Sequence, residues 1–241
     1  MSRKEDKVQL SERLQAVVNL ITKGAKVADV GCDHAYLSIY MAQENLASKI
    51  IAMDVNRGPL EKAKENIRQC HFEAQIETRL SDGLMALEPG EVDTLLIAGM
   101  GGVLMQKILT GKRQVLAQVK ELVLQPQSEI REVRVFLEKL GFRIVKEDMV
   151  IDAGKYYVML KARREQIHSK GEKELYYRYG RYLLENRHAI LEKYLKKEYC
   201  TLKQIYQKLE EHPSPDNEKR KEVMKEDMAY CREGLAYYDN M

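Results

Sequence analysis

Short apolar runs alternate with helix-compatible stretches over the first two thirds of the chain. The runs "KVADVG", "KIIAMDV", "VDTLLIAGM" and "ELVLQP" end in glycine, acid or proline, and segments such as "GPLEKAKENIRQC" separate them. Runs that are apolar throughout predict strands covered on both faces, hence a parallel sheet under helices. A further strand, "IETRLSDG", fits between the second and third runs. The amphipathic stretch "SEIREVRVFLEKLG" stops at Gly141, and "FRIVKEDMVID" and "KYYVMLKAR" follow with only Ala153 and Gly154 between them, so these two must pair as a hairpin. The pattern predicts an α/β fold: a seven-stranded Rossmann-like sheet with an antiparallel edge.

From Arg164 the pattern changes. Glycine becomes rare and Lys, Glu, Leu and Tyr dominate. Leu184, Leu191 and Ile205 share one heptad position and Leu195, Leu202 and Leu209 another, the spacing of a helical seam, which Glu198 and His188 interrupt. "HPSPDN" reads as a turn and "EKRKEVMKEDMAYCREGLAYY" as a returning helix. Residues 1–163 are expected to form the sheet domain and 164–241 a coiled-coil-like helical hairpin.

Composition narrows the setting. At 241 residues, 44% hydrophobic and 32% charged, the chain suits a soluble globular protein. No apolar run is long enough to span a bilayer and the start lacks a secretory pattern, so a cytoplasmic location is expected. Cys32, Cys70, Cys200 and Cys231 stand far apart without CxxC pairing, which indicates reduced thiols and neither a metal site nor disulfides. A net charge of +3 is too mild to identify a partner.

Ligands of open α/β sheets sit beyond the carboxyl ends of the strands. Gly31 follows the first strand, Asp54 ends the second at a spacing suited to a ribose contact, and Asp82 with Gly83 follows the third, where an acid can receive an adenine amino group. "GCDHAYL" lacks a three-glycine phosphate fingerprint, and Asp33 would repel a pyrophosphate. Asp33 and Asp29 favour a cofactor that carries sulfonium and ammonium charges and no phosphate, which describes S-adenosylmethionine. The expected cofactor wall is Asp29, Gly31, Cys32, Asp54, Val55, Ser81, Asp82, Gly83, Ala98, Gly99 and Met100. Acids in such loops also cap turns and helices, the plainer reading of Asp29 and Asp82. "AGMGG" offers bare backbone at Gly101 and Gly102 for a flat ring, or simply a tight turn; Gln125 and Pro126 of "LQP" either line the same cleft or end the strand.

Through "GCDHAYL", "DVNRGPLEKAKENI", "IAGMGG" and "LVLQPQ" the chain resembles the bacterial tRNA (adenine(22)-N(1))-methyltransferases from about Leu10 to Lys161 and into the helical tail. Cys32 replaces a usual serine, Ser38 a usual proline, and Asp54 an acid that is often glutamate; Cys32 is expected to open the protein to thiol reagents. The resemblance implies a class I methyltransferase that methylates N1 of adenine at position 22 of tRNA. Adenine N1 has an in-plane lone pair, so alignment and exclusion of water matter more than a base. Asp33, His34 and Tyr36 are the expected catalytic residues: Tyr36 stacks on the adenine, and Asp33 or His34 bonds its amino group or stabilises the charge arriving on the ring. A core Tyr36 and a loop-ordering His34 are the alternatives.

Folded RNA would also give the tail a role, since ten of the fourteen tyrosines lie beyond Arg164, interleaved with Lys and Arg. Lys170, Lys173, Arg178, Arg181 and Arg187 are the expected phosphate contacts, set against tyrosines that merely seal a helix seam. Rival readings are a methyltransferase acting on a small molecule or another RNA, a non-catalytic adaptor, and a nicotinamide oxidoreductase, which the missing phosphate loop disfavours.

Overall fold

The apolar runs form strands β1 (Ala25–Val30), β2 (Ala47–Asp54), β3 (Ile76–Leu80), β4 (Thr94–Met100), β5 (Glu121–Pro126), β6 (Phe142–Asp152) and β7 (Lys155–Arg164). The structure, a computed structural model, describes residues 8–165, 171–212 and 214–239. The strands make one sheet in the order β3-β2-β1-β4-β5-β7-β6. The first five positions run parallel, and β7 lies antiparallel between β5 and β6. Residue chemistry accounts for β7 taking the inner place. Its Val158, Met159, Leu160 and Ala162 are buried, whereas β6 presents Lys146 to solvent at the edge, where charge discourages further pairing. Ala153 and Gly154 both have positive φ (47° and 75°), the two-residue turn that matches strand twist.

Helices α1 (Glu12–Val18), α2 (Tyr36–Gln43), α3 (Arg57–Gln69), α4 (Gly102–Gly111), α5 (Arg113–Gln118) and α6 (Ile130–Lys139) belong to the same unit. In α3, Leu60, Ala63 and Ile67 are buried along one stripe. Ser11 caps α1 by accepting from the Leu14 N–H, and the Arg13 N–H donates to Asp152 Oδ2 at 3.3 Å, which fixes α1 to the β6–β7 hairpin. Arg134 of α6 donates through Nε to Glu147 Oε1 of β6 at 2.9 Å, and both side chains are buried.

The chain divides into compact units Met1–Ser169 and Lys170–Met241. The second contains α7 (Glu174–Tyr179), α8 (Arg181–Glu185), α9 (Ala189–Glu210) and α10 (Pro215–Leu235). Helices α9 and α10 form a hairpin, with Ser214 accepting from the Asn217 N–H and Pro215 in the first turn of α10. The heptad pattern misplaces two residues. Leu184 belongs to α8 and does not share a helix with Leu191. His188 does not interrupt the seam but starts α9, its Nδ1 accepting from the Ile190 N–H at 3.3 Å. Glu198 does lie within the hairpin, and its carboxylate is held by the Tyr194 hydroxyl (2.9 Å) and the Cys231 thiol (3.5 Å). Gly234 lets the two long helices approach: a Cβ there would lie 3.1 Å from Leu195 Cδ1.

Candidate active site

The carboxyl ends of β1 and β4 are where the strand order reverses, and a cavity of about 510 Å³ opens there. Its most unusual wall is the turn after β1. Gly31 has φ 76°, and both the Gly31 and Cys32 N–H groups donate to the Met53 carbonyl (2.8 and 2.9 Å). Asp33 and Ala35 also have positive φ (49° and 59°), and the Ala35 N–H closes the turn on the Cys32 carbonyl at 2.7 Å. Left-handed backbone at such residues costs on the order of 1 kcal/mol each and persists only where the surroundings impose it. It sets Asp33 and His34 on the cavity wall just before Tyr36, the first residue of α2. The His34 carbonyl is held by the Asn66 side-chain amide of α3 at 2.9 Å.

Asp33, His34 and Tyr36 therefore share one wall. Their side chains are accessible: Asp33 is 71% and His34 39% exposed, and Tyr36 as a residue is 47% exposed. His34 Nε2 lies 3.6 Å from Asp33 Oδ1, and the His34 and Tyr36 rings are 5.6 Å apart. His34 Nδ1 is buried and has no hydrogen-bond partner among the described residues. Tyr36 at this exposure is not the core residue of the plainer reading.

The expected cofactor residues divide clearly. Gly31, Cys32, Asp54, Val55, Ser81, Asp82, Gly83, Ala98, Gly99 and Met100 all line the cavity. Asp54 is buried at the end of β2 with Oδ1 accepting from the Asn56 N–H at 2.8 Å. Ser81 shapes the next loop, donating to the Gly83 carbonyl and accepting from the Ala86 N–H. Asp29 departs from expectation: it is buried off the wall, and the Ser38 hydroxyl donates to its Oδ2 at 2.7 Å. Burial, with a smaller contribution from the Asp54 charge, lifts its pKa to about 6 although the Ser38 bond favours the ionised form. Cys32 corrects a second expectation. Its thiol is buried, and burial with the charges of Asp29 and Asp54 pushes its pKa strongly upward, so it is poorly disposed to react.

Of the expected substrate residues, Gly101, Gly102, Gln125 and Pro126 do not line the cavity. Gly101 is the residue before α4, and Gly102 serves packing: a Cβ there would sit 2.7 Å from the Ser128 carbonyl oxygen and 2.8 Å from Val133 Cγ2. Gln125 is wholly buried and braces the wall from behind, its Oε1 accepting from the Gly99 N–H (3.1 Å) and from Arg13 Nη1 (2.7 Å). In the C-terminal unit, Arg178 is engaged by Glu174 and Asp227 and lies over the Tyr230 ring, and Arg181 is paired with Glu172 and Glu185. Those pairs make both arginines braces of the helices. Lys173 precedes α7 and lies over the Tyr176 ring, Arg187 sits at positive φ between α8 and α9, and Lys170 lies outside the described residues.

Sequence reasoning missed Arg13, Asn56, Pro59, Leu104 and Gln127, which also line the cavity. Asn56 and Pro59 stand just past Asp54 and were open to the same loop argument. Arg13 carries no such signal, because its helix precedes the first strand.

Comparison with known proteins agrees with this architecture. The tRNA (adenine(22)-N(1))-methyltransferase family matches residues 27–233. A protein of that name from Bacillus subtilis (strain 168) is 31% identical over 230 residues, covering 92% of this chain and 93% of its own. A putative tRNA (m1A22) methyltransferase from Streptococcus pneumoniae, solved with S-adenosyl-L-methionine, is 30% identical with a TM-score of 0.84, covering 94% of this chain and 100% of its own. A Mycoplasma capricolum structure with S-adenosyl-homocysteine is 25% identical with a TM-score of 0.81, covering 95% and 98%.

Proposed function

Because the chain belongs to the tRNA (adenine(22)-N(1))-methyltransferase family, we infer that it methylates N1 of adenine 22 of tRNA with S-adenosylmethionine as donor. The observation that carries this reading is the chemistry of the cavity. The Gly31 and Cys32 amides that a dinucleotide phosphate would need are already bonded to the Met53 carbonyl, and the wall carries Asp33, Asp54 and Asp82. Such a surface repels phosphate and suits a cationic, phosphate-free nucleoside. Its volume lies within the range of small-molecule sites.

Asp54 offers its second oxygen to the ribose hydroxyls, Asp82 accepts from the adenine amino group, and Gly31 admits the donor close to the backbone once the flexible Met100 side chain, whose Cε fills that space, swings aside. S-Adenosylmethionine supplies the electrophilic methyl group. The chain has to bring adenine N1 into line behind that methyl and keep water away, since the N1 lone pair attacks without prior deprotonation. N1 lies on the base-pairing edge, so the base must leave its stack. Tyr36 stacks on the extruded ring, Asp33 or His34 accepts from its 6-amino group, and the Asp33 carboxylate faces the positive charge the ring acquires. The exposed Val55 and Leu104 on the same wall add apolar surface for the base. The C-terminal unit contacts the RNA through exposed cations, Lys173 and Arg187 among them. The reaction belongs to the cytoplasm; among the described residues no helix is long and apolar enough to cross a membrane.

Incubation with unmodified tRNA and S-adenosylmethionine, followed by mass-spectrometric mapping, tests the reading. One methyl on N1 of adenine 22 is expected. Transfer to another atom or nucleotide, or none to tRNA, would overturn it.

A further inference from the structure

We propose that Gln127 reads the target adenine along the edge formed by N7 and the 6-amino group, an inference that rests on the functional reading above. The loop that carries it begins where β5 ends. Pairing of β4 with β5 steps from Ala98–Gln125 to Met100–Pro126 and skips Gly99, and the Gln127 N–H then donates to the Met100 carbonyl at 2.9 Å. An extra residue of this kind re-aims the side chains beside it. The two glutamines of "LQPQ" have different surroundings. Gln125 is buried with both ends of its amide engaged, Oε1 by the Gly99 N–H and Arg13, Nε2 by the Pro126 carbonyl. Gln127 is exposed and lines the cavity, and its Nε2 lies 3.8 Å from the point a Cβ on Gly99 would occupy. No described residue bonds its side-chain amide.

Sheet order puts this amide on the acceptor's side. Asp82 follows β3, Asp54 ends β2 and Gly31 follows β1, the places of the donor's adenine, ribose and sulfonium, so the base that takes the methyl lies toward β4 and β5. Of the two side-chain amides on the wall, Asn56 stands beside Asp54 at the ribose and Gln127 stands here. Asp33 follows β1, two strand spacings from the β5 loop, and roughly 10 Å leaves room for a flat purine between them. An amide matches adenine in that place. Its oxygen accepts from the 6-amino group and its nitrogen donates to N7, the pairing by which glutamine reads adenine in nucleic acids. Both contacts leave N1 open to the methyl, and the second amino N–H remains for Asp33 or His34. Guanine would set O6 against the amide oxygen, two acceptors with no proton between them.

Methylation of tRNA ligated with adenosine or 7-deazaadenosine at position 22 tests this, since the second base has C–H in place of N7. The exchange also alters the electrons of the ring, so the quantity read is the ratio of kcat/KM for the two tRNAs, compared between proteins. Gln127→Ala is expected to lower kcat/KM for the adenosine tRNA by roughly 5- to 150-fold. Its ratio of adenosine to 7-deazaadenosine should fall about 3- to 10-fold below that of the unaltered chain, with S-adenosylmethionine affinity by calorimetry unchanged. Gln127→Glu keeps an acceptor for the amino group but turns a carboxylate oxygen to N7, so its ratio should fall below that of Gln127→Ala. A ratio equal in all three proteins overturns the inference and leaves the methyltransferase reading standing. Weakened donor binding in Gln127→Ala also overturns it, by moving the residue to the donor. Failure of the unaltered chain to methylate adenine 22 would remove both.

Discussion

Replacing Asp29 by Asn tests the electrostatics beneath the cavity. Burial holds the Asp29 pKa at about 6 against an ordinary aspartate value of 3.8, although the Ser38 hydroxyl favours the ionised form. Because the folded state has the higher pKa, protonation of Asp29 favours folding. That contribution is fully present below about pH 3.8 and is lost as pH rises through about 6. Relative to a permanently neutral group, a titrating Asp29 costs about 1.5 kcal/mol at pH 5, where folding protonates it, and about 3 kcal/mol at pH 8, where it is buried ionised. Asn has nearly the same shape, carries no charge at either pH, and retains an oxygen for Ser38. The stability of Asp29→Asn relative to the unaltered chain should therefore rise by about 1.5 kcal/mol between pH 5 and pH 8. Urea denaturation followed by circular dichroism at the two pH values reads that difference, with equal m-values confirming that the same structure unfolds. A stability difference that stays constant within about 0.5 kcal/mol would refute the reasoning. The same variant should bind S-adenosylmethionine more weakly, since a negative charge near Asp54 adds to the field that attracts a cation.

Gly102→Ala should lower stability by about 1–2 kcal/mol, or roughly 2–8 °C in Tm, because the Ser128 carbonyl cannot yield easily, whereas Gly101→Ala meets the rotatable Ser128 hydroxyl at 3.0 Å and Glu129 Oε2 at 3.9 Å, both side-chain atoms. Calorimetric melting decides this, and an unchanged Tm with lost activity would return Gly102 to the substrate site. Tyr36→Ala should reduce kcat/KM for tRNA by roughly 5- to 150-fold through loss of one stacking platform, with donor affinity unchanged; an equal loss of donor affinity would place the ring on the cofactor instead. Exposed Cys200 should react with a disulfide reagent well before buried Cys32 and Cys231, read by peptide mapping, and early labelling of Cys32 would contradict its burial and raised pKa.

Much of the sheet was legible because its evidence is local. A buried parallel strand must be apolar along its whole length, and a glycine or acid at its end marks the loop that meets a ligand. Gly31 and Asp54 follow from that rule; Asp82 follows β3, an edge strand of mixed polarity with only Ile76 buried, and all three line one cavity. The rule fails where two roles share one residue type. Asp29 and Asp33 lie four residues apart and looked equivalent, yet strand β1 turns Asp29 into the core toward Ser38 while the left-handed turn exposes Asp33. Glycines failed for a similar reason, since nothing local separates the bare backbone of Gly99 from Gly102, whose missing side chain makes room for Ser128 and Val133. In the tail, leucine spacing ran through Leu184 without registering the break at Arg187, whose φ is 51°, and the cap at His188. Arg13 was invisible because its partner Gln125 is 112 residues away.

The turn after β1 also bears on how one fold distinguishes its ligands. A Rossmann-like sheet offers the same crevice to nicotinamide dinucleotides and to methyl donors, so preference must come from a difference in affinity at that crevice. Here the difference has two sources. The Gly31 and Cys32 amides donate to the Met53 carbonyl, so those two N–H groups are not offered to a phosphate, and Asp33 stands on the same wall with a repelling charge. For a sulfonium the same two features are harmless or favourable, because it needs no donors and gains from the carboxylate. The left-handed backbone at Asp33 and Ala35, closed by the Ala35 N–H on the Cys32 carbonyl, sets that carboxylate on the cavity wall.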